Sequence, residues 1–132
     1  MTTSSPLKGY LILLVEDDPL IGLDIALTLE DAGARILGPC GNAKVTLEAI
    51  ENLGPSDPLH GAVLDVDLGD HTSEEVARKL MALEIPFVFH SGNNAIGGDA
   101  IIGIEATVIP KPCIPSVLVS GVADCIQHVP HR

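Results

Sequence analysis

Solid apolar runs alternate with amphipathic stretches along the chain. Leu11-Ile12-Leu13-Leu14-Val15 contains no polar residue, and such a run suits a strand buried on both faces of a parallel sheet. It stops at Glu16-Asp17-Asp18-Pro19. There Asp18 is placed to cap a helix with Pro19 in its first turn. That helix is expected to reach about Ala32, with Gly33 just beyond its end. Arg35-Ile36-Leu37-Gly38 reads as a short second strand. Asn42 is a cap for a second helix whose buried face would carry Ala43, Leu47, Ile50 and Leu53, closed by Gly54-Pro55. Ala62-Val63-Leu64 is a third strand ending at Asp65. Thr72 and Glu75 have the spacing of a capping box, and Val76, Leu80 and Leu83 mark the inner face of the helix behind them. Ile85 to Phe89 reads as a fourth strand running into His90-Ser91. Residues 93–105 are glycine-rich, which weakens any helix there. Thr107-Val108-Ile109 is a fifth strand ending at Pro110-Lys111-Pro112, and a last apolar helix is expected from about Ile114 to Gln127.

Five strands alternating with helical segments imply an α/β domain, a doubly wound parallel sheet covered on both faces. Right-handed crossovers leave few topologies, and the flavodoxin-like strand order 2-1-3-4-5 is the expected one. Ligands in such sheets bind at the carboxyl ends of the strands, beside the switch point between strands 1 and 3. The expected organisation is a tail over residues 1–8, one domain over 9–128 and a tail over 129–132, with no room for an output domain.

Composition narrows the function. Of 132 residues 46% are hydrophobic, but the aromatics are only Tyr10, Phe87 and Phe89, so the core must be aliphatic. A formal net charge of −11 repels phosphate backbones and argues against nucleic-acid binding. No apolar run approaches the roughly 20 residues that span a bilayer, and residues 1–8 lack the apolar stretch of a signal peptide. Cys40, Cys113 and Cys125 are odd in number and have no CxxC spacing. They suggest buried inert thiols rather than a disulfide framework or zinc site, and a reduced, cytoplasmic setting.

The polar residues at the strand ends carry the candidate chemistry. Glu16 and Asp17 follow strand 1, Asp65 ends strand 3, Ser91 follows strand 4 and Lys111 follows strand 5. Each alone has an ordinary explanation as a helix cap, an acidic turn or a solvated charge. Together they should gather at one rim. Close carboxylate pairs repel by several kcal/mol each at an effective dielectric of about 20, and such a cluster is tolerable when a cation neutralises it. Oxygen-only ligands favour magnesium or a similar hard cation. Phosphoryl transfer needs positioning and charge neutralisation. In that chemistry Asp65 is the nucleophile, Lys111 and Ser91 meet the phosphoryl oxygens, and Gly92 leaves space for the donor.

These residues identify a resemblance. Leu13-Leu14-Val15-Glu16-Asp17-Asp18, the Leu64-Asp65 strand end, Ser91-Gly92 and Lys111-Pro112, in this order, resemble the receiver domain of two-component response regulators over roughly residues 9–128. The resemblance implies a phosphoacceptor at Asp65. It implies a Mg2+ site made by Glu16, Asp17, Asp65 and the backbone carbonyl of Asp67, with phosphoryl contacts from Ser91, Gly92 and Lys111. It also implies a cis peptide before Pro112. A sensor histidine kinase or histidine phosphotransferase would supply the phosphoryl group, docking on the first helix and the loop after strand 5. A downstream target protein would read it, and the oligomeric state stays open. Val108 departs from the pattern: it stands where the family has the aromatic switch residue, three positions before the lysine. Gly69 and Cys113 are lesser departures. The glycine-rich segment 93–105 would be a mobile fourth helix. The Asp67 side chain either orients a water at the acyl phosphate or faces solvent. His71 and His90 lie near the same rim, but a hard-cation site needs no imidazole.

Three rival readings remain. Asp65-Val66-Asp67 has the Asp-x-Asp form of a haloacid-dehalogenase-like phosphatase, but that motif normally opens its domain, and Asp124 is the sole acid beyond Lys111. A pseudo-receiver would keep the fold as a protein-interaction module without phosphorylation, a reading that Val108 supports. A flavodoxin-like cofactor binder would need a phosphate-cradling loop after strand 1, where this chain has an acidic turn.

Overall fold

The computed structural model describes residues 5–66, 72–91, 106–111 and 113–127. β1 (Leu11–Val15), β3 (Gly61–Asp65) and β4 (Phe87–Ser91) are buried at every position, including the polar Asp65, His90 and Ser91 at the ends of β3 and β4. They form the middle of a five-stranded parallel sheet of order β2-β1-β3-β4-β5, with β2 (Arg35–Cys40) and β5 (Thr107–Pro110) at its edges. Strand alternation divides the core in two. Ile12, Leu14, Val63 and Val88 pack on one side with Ile25, Leu29, Leu118 and Val122. Leu13, Val15, Leu64, Phe87 and Phe89 pack on the other with Ile50, Val76 and Leu80. The first layer is supplied by α1 (Pro19–Asp31) and α4 (Pro115–Gln127), the second by α2 (Ala43–Glu51) and α3 (Thr72–Ala82).

The caps are local and follow the sequence. Asp18 Oδ1 accepts the N–H groups of Leu20 and Ile21 at 2.9 and 3.2 Å, and Asn42 Oδ1 accepts that of Val45 at 2.9 Å. Gly33 follows α1 with φ +107°, as a helix terminator does. Within the segment expected as a tail, residue 7 does not hang free: Leu7 is fully buried and its N–H donates to Ala32 O at 2.9 Å.

Several expectations need adjustment. β2 continues past Gly38 to Cys40, because its pairing with β1 shifts between Leu13 and Val15. Gly38 takes up the shift at φ +117°, where a Cβ would lie 2.6 Å from Leu14 O. Only a residue without a side chain fits this bulge. The centre of the buried face of α2 is Thr46 with Ile50, while Ala43, Leu47 and Leu53 are half-buried. Thr46 enters the core because its hydroxyl donates to Asn42 O at 2.6 Å, which satisfies its polar group. In α3, Ser73, Val76, Ala77 and Leu80 are buried, but Leu83 lies beyond the helix end and is 45% exposed. β4 begins two residues later than expected. Pro86 has no N–H to donate to a ladder, and its carbonyl accepts the N–H of Ala62 at 3.1 Å. The helix expected within 93–105 and the side chain of the Thr72 cap lie outside the described residues. Among the described residues no helix is long and apolar enough to cross a membrane.

Candidate functional site

The sheet brings its polar strand ends to one rim. Val15 pairs with Leu64 and Asp65 pairs with His90, so Glu16 leaves β1 beside the end of β3. Ser91 pairs with Pro110, and its carbonyl accepts the N–H of Lys111 at 2.7 Å. The lysine side chain then turns back over the rim. Lys111 Nζ donates to Asp65 Oδ1 at 2.9 Å and lies 3.2 Å from Glu16 Oε1. The two acids are each 2% exposed at the side chain and Lys111 is 15% exposed. Glu16, Asp17 and Asp65 each offer a carboxylate oxygen within 4.8 Å of one another.

Backbone contacts fix the acidic turn. The Glu16 N–H donates to Cys40 O at 2.9 Å, which depends on the β2 bulge returning Cys40 to the ladder opposite Val15. Glu16 Oε2 accepts the N–H of Asp18 at 3.2 Å. Asp18 therefore caps α1 with its carboxylate and steadies Glu16 with its backbone. On the opposite side, the Ser73 hydroxyl donates to the carbonyl oxygen of Asp65, tying the start of α3 to the end of β3. The sequence marked Ser73 only as part of a capping segment. The available signal was a hydroxyl three positions before the buried Val76-Ala77 pair.

The electrostatics follow from crowding. Burial pushes Glu16 up from 4.5 to about 7, helped by the neighbouring Asp65 and opposed by the Asp18 N–H and Lys111. Burial pulls Lys111 down, but Asp65 and then Glu16 outweigh it and hold the ammonium above the usual lysine range. One lysine thus faces three acids. Glu16 Oε1, though near Lys111, accepts no hydrogen bond among the described residues. A further cation coordinated by oxygen is the chemistry this donor set suits.

Of the residues the sequence singled out, Glu16, Asp17, Asp65 and Lys111 meet, and Ser91 closes the strand beside them. Val108 pairs with Phe89 and packs half-buried on the α2/α3 side of the sheet. Asp67, Gly92, Pro112 and His71 lie outside the described residues. His90 is buried on the same rim. With Lys111, Leu20, Ile21, Pro115 and Leu118 it lines a cavity of about 390 Å3 between α1 and α4. The three cysteines are free thiols, and burial pushes all three up, Cys125 to about 11, so they stay protonated at neutral pH.

A five-stranded parallel sheet of this order, with helices on both faces and an acidic cluster at the ends of β1 and β3, has the architecture of a response-regulator receiver domain. Known proteins agree. The chain is 32% identical over 126 residues to the Sensor protein TorS of Escherichia coli (strain K12), a match covering 92% of this chain but 13% of that protein. A response regulator receiver protein from Sinorhizobium medicae WSM419 is 22% identical with TM-score 0.77, over 92% of this chain and 97% of the other. A response regulator receiver domain protein (CheY-like) from Methanospirillum hungatei JF-1 is 26% identical with TM-score 0.67, over 86% and 89%. No protein-family profile matches the chain. The chain has the fold of a response-regulator receiver domain, and it spans only a small part of the length of the curated relative it matches.

Proposed function

We propose that this receiver domain accepts a phosphoryl group on Asp65 from a phosphohistidine, in a reaction that depends on Mg2+. The observation that carries this reading is the bridge of Lys111 Nζ between Asp65 and Glu16, at 2.9 and 3.2 Å, inside a cluster of three carboxylates. Glu16, Asp17 and Asp65 would hold the cation, with the Asp67 carbonyl as the ligand the family pattern adds. When bound, Mg2+ supplies charge neutralisation between the attacking carboxylate and the phosphoryl oxygens.

The chain's own groups do the rest. The Asp65 carboxylate attacks phosphorus; a P–O bond forms, the P–N bond to the donor imidazole breaks, and the product is an acyl phosphate. Lys111 exchanges Asp65 Oδ1 for a phosphoryl oxygen, so its charge follows the transferred group. Ser91, with Gly92 beside it, borders the space that group enters. The Ser73 hydroxyl holds the Asp65 backbone still during attack. With Val108 in place of a ring, the output would pass through repacking near β5 rather than aromatic rotation.

The partner is a sensor histidine kinase or histidine phosphotransferase. On α1, Leu20 is 78% exposed, and Leu23 and Leu27 follow it on the open surface; Ile114 and Val117 at the start of α4 are exposed too. Exposed aliphatics in this density beside a site suit an apolar helical partner.

Incubation with a small phosphodonor such as acetyl phosphate and Mg2+, followed by intact-mass measurement, tests the reading. One added phosphoryl group is expected, and none in Asp65→Ala or in chelator. An unmodified wild type would favour the pseudo-receiver reading instead.

A further inference from the structure

Glycine inside a helix costs about 1 kcal/mol relative to alanine, so a buried one points to a demand for space. Gly22 closes the first turn of α1, donating its N–H to Asp18 O at 2.8 Å, and it is buried. A Cβ there would lie 3.0 Å from Pro39 Cγ, 3.1 Å from Pro39 Cβ and 3.5 Å from Glu16 Cγ. Both neighbours lead to the same residue. Glu16 Cγ carries the carboxylate directly, and Pro39 precedes Cys40, whose carbonyl accepts the Glu16 N–H.

We propose that Gly22 is a positioning residue for Glu16: its lack of a side chain lets α1 lie against the glutamate stem and the end of β2 at Pro39, which keeps the Glu16 carboxylate in the cluster with Asp17 and Asp65. Glutamate has one methylene more than aspartate, and this stem needs a wall to hold one rotamer. The backbone of α1 at Gly22 is that wall. A Cβ at position 22 crowds Pro39 and so shifts the adjacent Cys40 carbonyl that anchors the Glu16 backbone, while it only touches Glu16 Cγ; a larger side chain also reaches the Glu16 stem and displaces the carboxylate. The proposal rests on the reading of Glu16, Asp17 and Asp65 as a divalent-cation site.

Calorimetric titration of the full chain with Mn2+ and with Mg2+ tests it without any phosphorylation assay. Gly22→Ala and Gly22→Val are compared with Gly61→Ala, whose added Cβ would lie 2.8 Å from Ile126 Cγ1 at the far end of β3. Weakening that grows with side-chain size is expected, reaching about tenfold or more for Gly22→Val, as for other groups that orient a metal ligand. Gly61→Ala should melt earlier yet bind the ion with unchanged affinity. A folded Gly22→Val with wild-type affinity overturns the proposal. If that variant does not fold, Gly22→Ala decides in the same way: weaker binding than Gly61→Ala supports the proposal, and equal binding overturns it. A wild type that binds neither ion defeats the metal-site reading itself, a different outcome from a wild type that binds as Gly22→Val does.

Discussion

Glu16 and Lys111 set the properties of the rim because neither is fully balanced. Glu16 sits at about 7 against an ordinary 4.5, so between those values the folded chain holds a proton that the unfolded chain releases. This stabilisation is complete below pH 4.5 and is lost as pH rises through 7, on the order of 3 kcal/mol at most. Urea unfolding in chelator should therefore show wild type losing stability from pH 5 to 8, relative to a flatter Glu16→Gln. Lys111→Met leaves two buried acids without their cation. It should cost roughly 3 kcal/mol at pH 8 and less at pH 5, where a proton on Glu16 substitutes for the ammonium. The strand-end positions of these residues were legible from the sequence, since apolar runs end where polar residues begin. The displaced titration of Glu16 was not, because desolvation depends on α1, β2 and Lys111 all closing over one carboxylate.

At the scale of elements, the caps connect local stability to the site in one helix and not in the other. Asp18 and Asn42 cap α1 and α2 in the same way, and Ala at either should cost about 1 kcal/mol by urea unfolding. Asp18 also borders the acidic cluster, its N–H bonded to Glu16 Oε2. Only Asp18→Ala should weaken Mn2+ binding, as the start of α1 loosens; equal affinities in the two variants would separate the cap from the site. Helix starts were readable because a cap acts over three residues. The inner face of α2 was less so: a period of apolar residues favoured Leu47, and Thr46 was buried through a hydrogen bond that hydrophobicity does not register.

For the whole molecule, the sheet brings distant acids together, and the proposed cation would relieve the repulsion between them. Mg2+ at a hundredfold excess over its dissociation constant should stabilise the fold by about 2.7 kcal/mol. Thermal melts with Mg2+ and with chelator would show this as a rise that Glu16→Gln or Asp65→Asn reduces. The amino-acid sequence determined the number and order of strands, the parallel sheet and the identity of the residues at its rim, because periodicity, capping and chain breaks act over a few residues. Only the tertiary structure decided the bulge at Gly38 that returns Cys40 to hold Glu16, the tie from Ser73 to Asp65, the close approach at Gly22 and the aliphatic surface left open on α1. Most of these depend on contacts between elements that meet only in the folded sheet, whose register and burial no local pattern specifies.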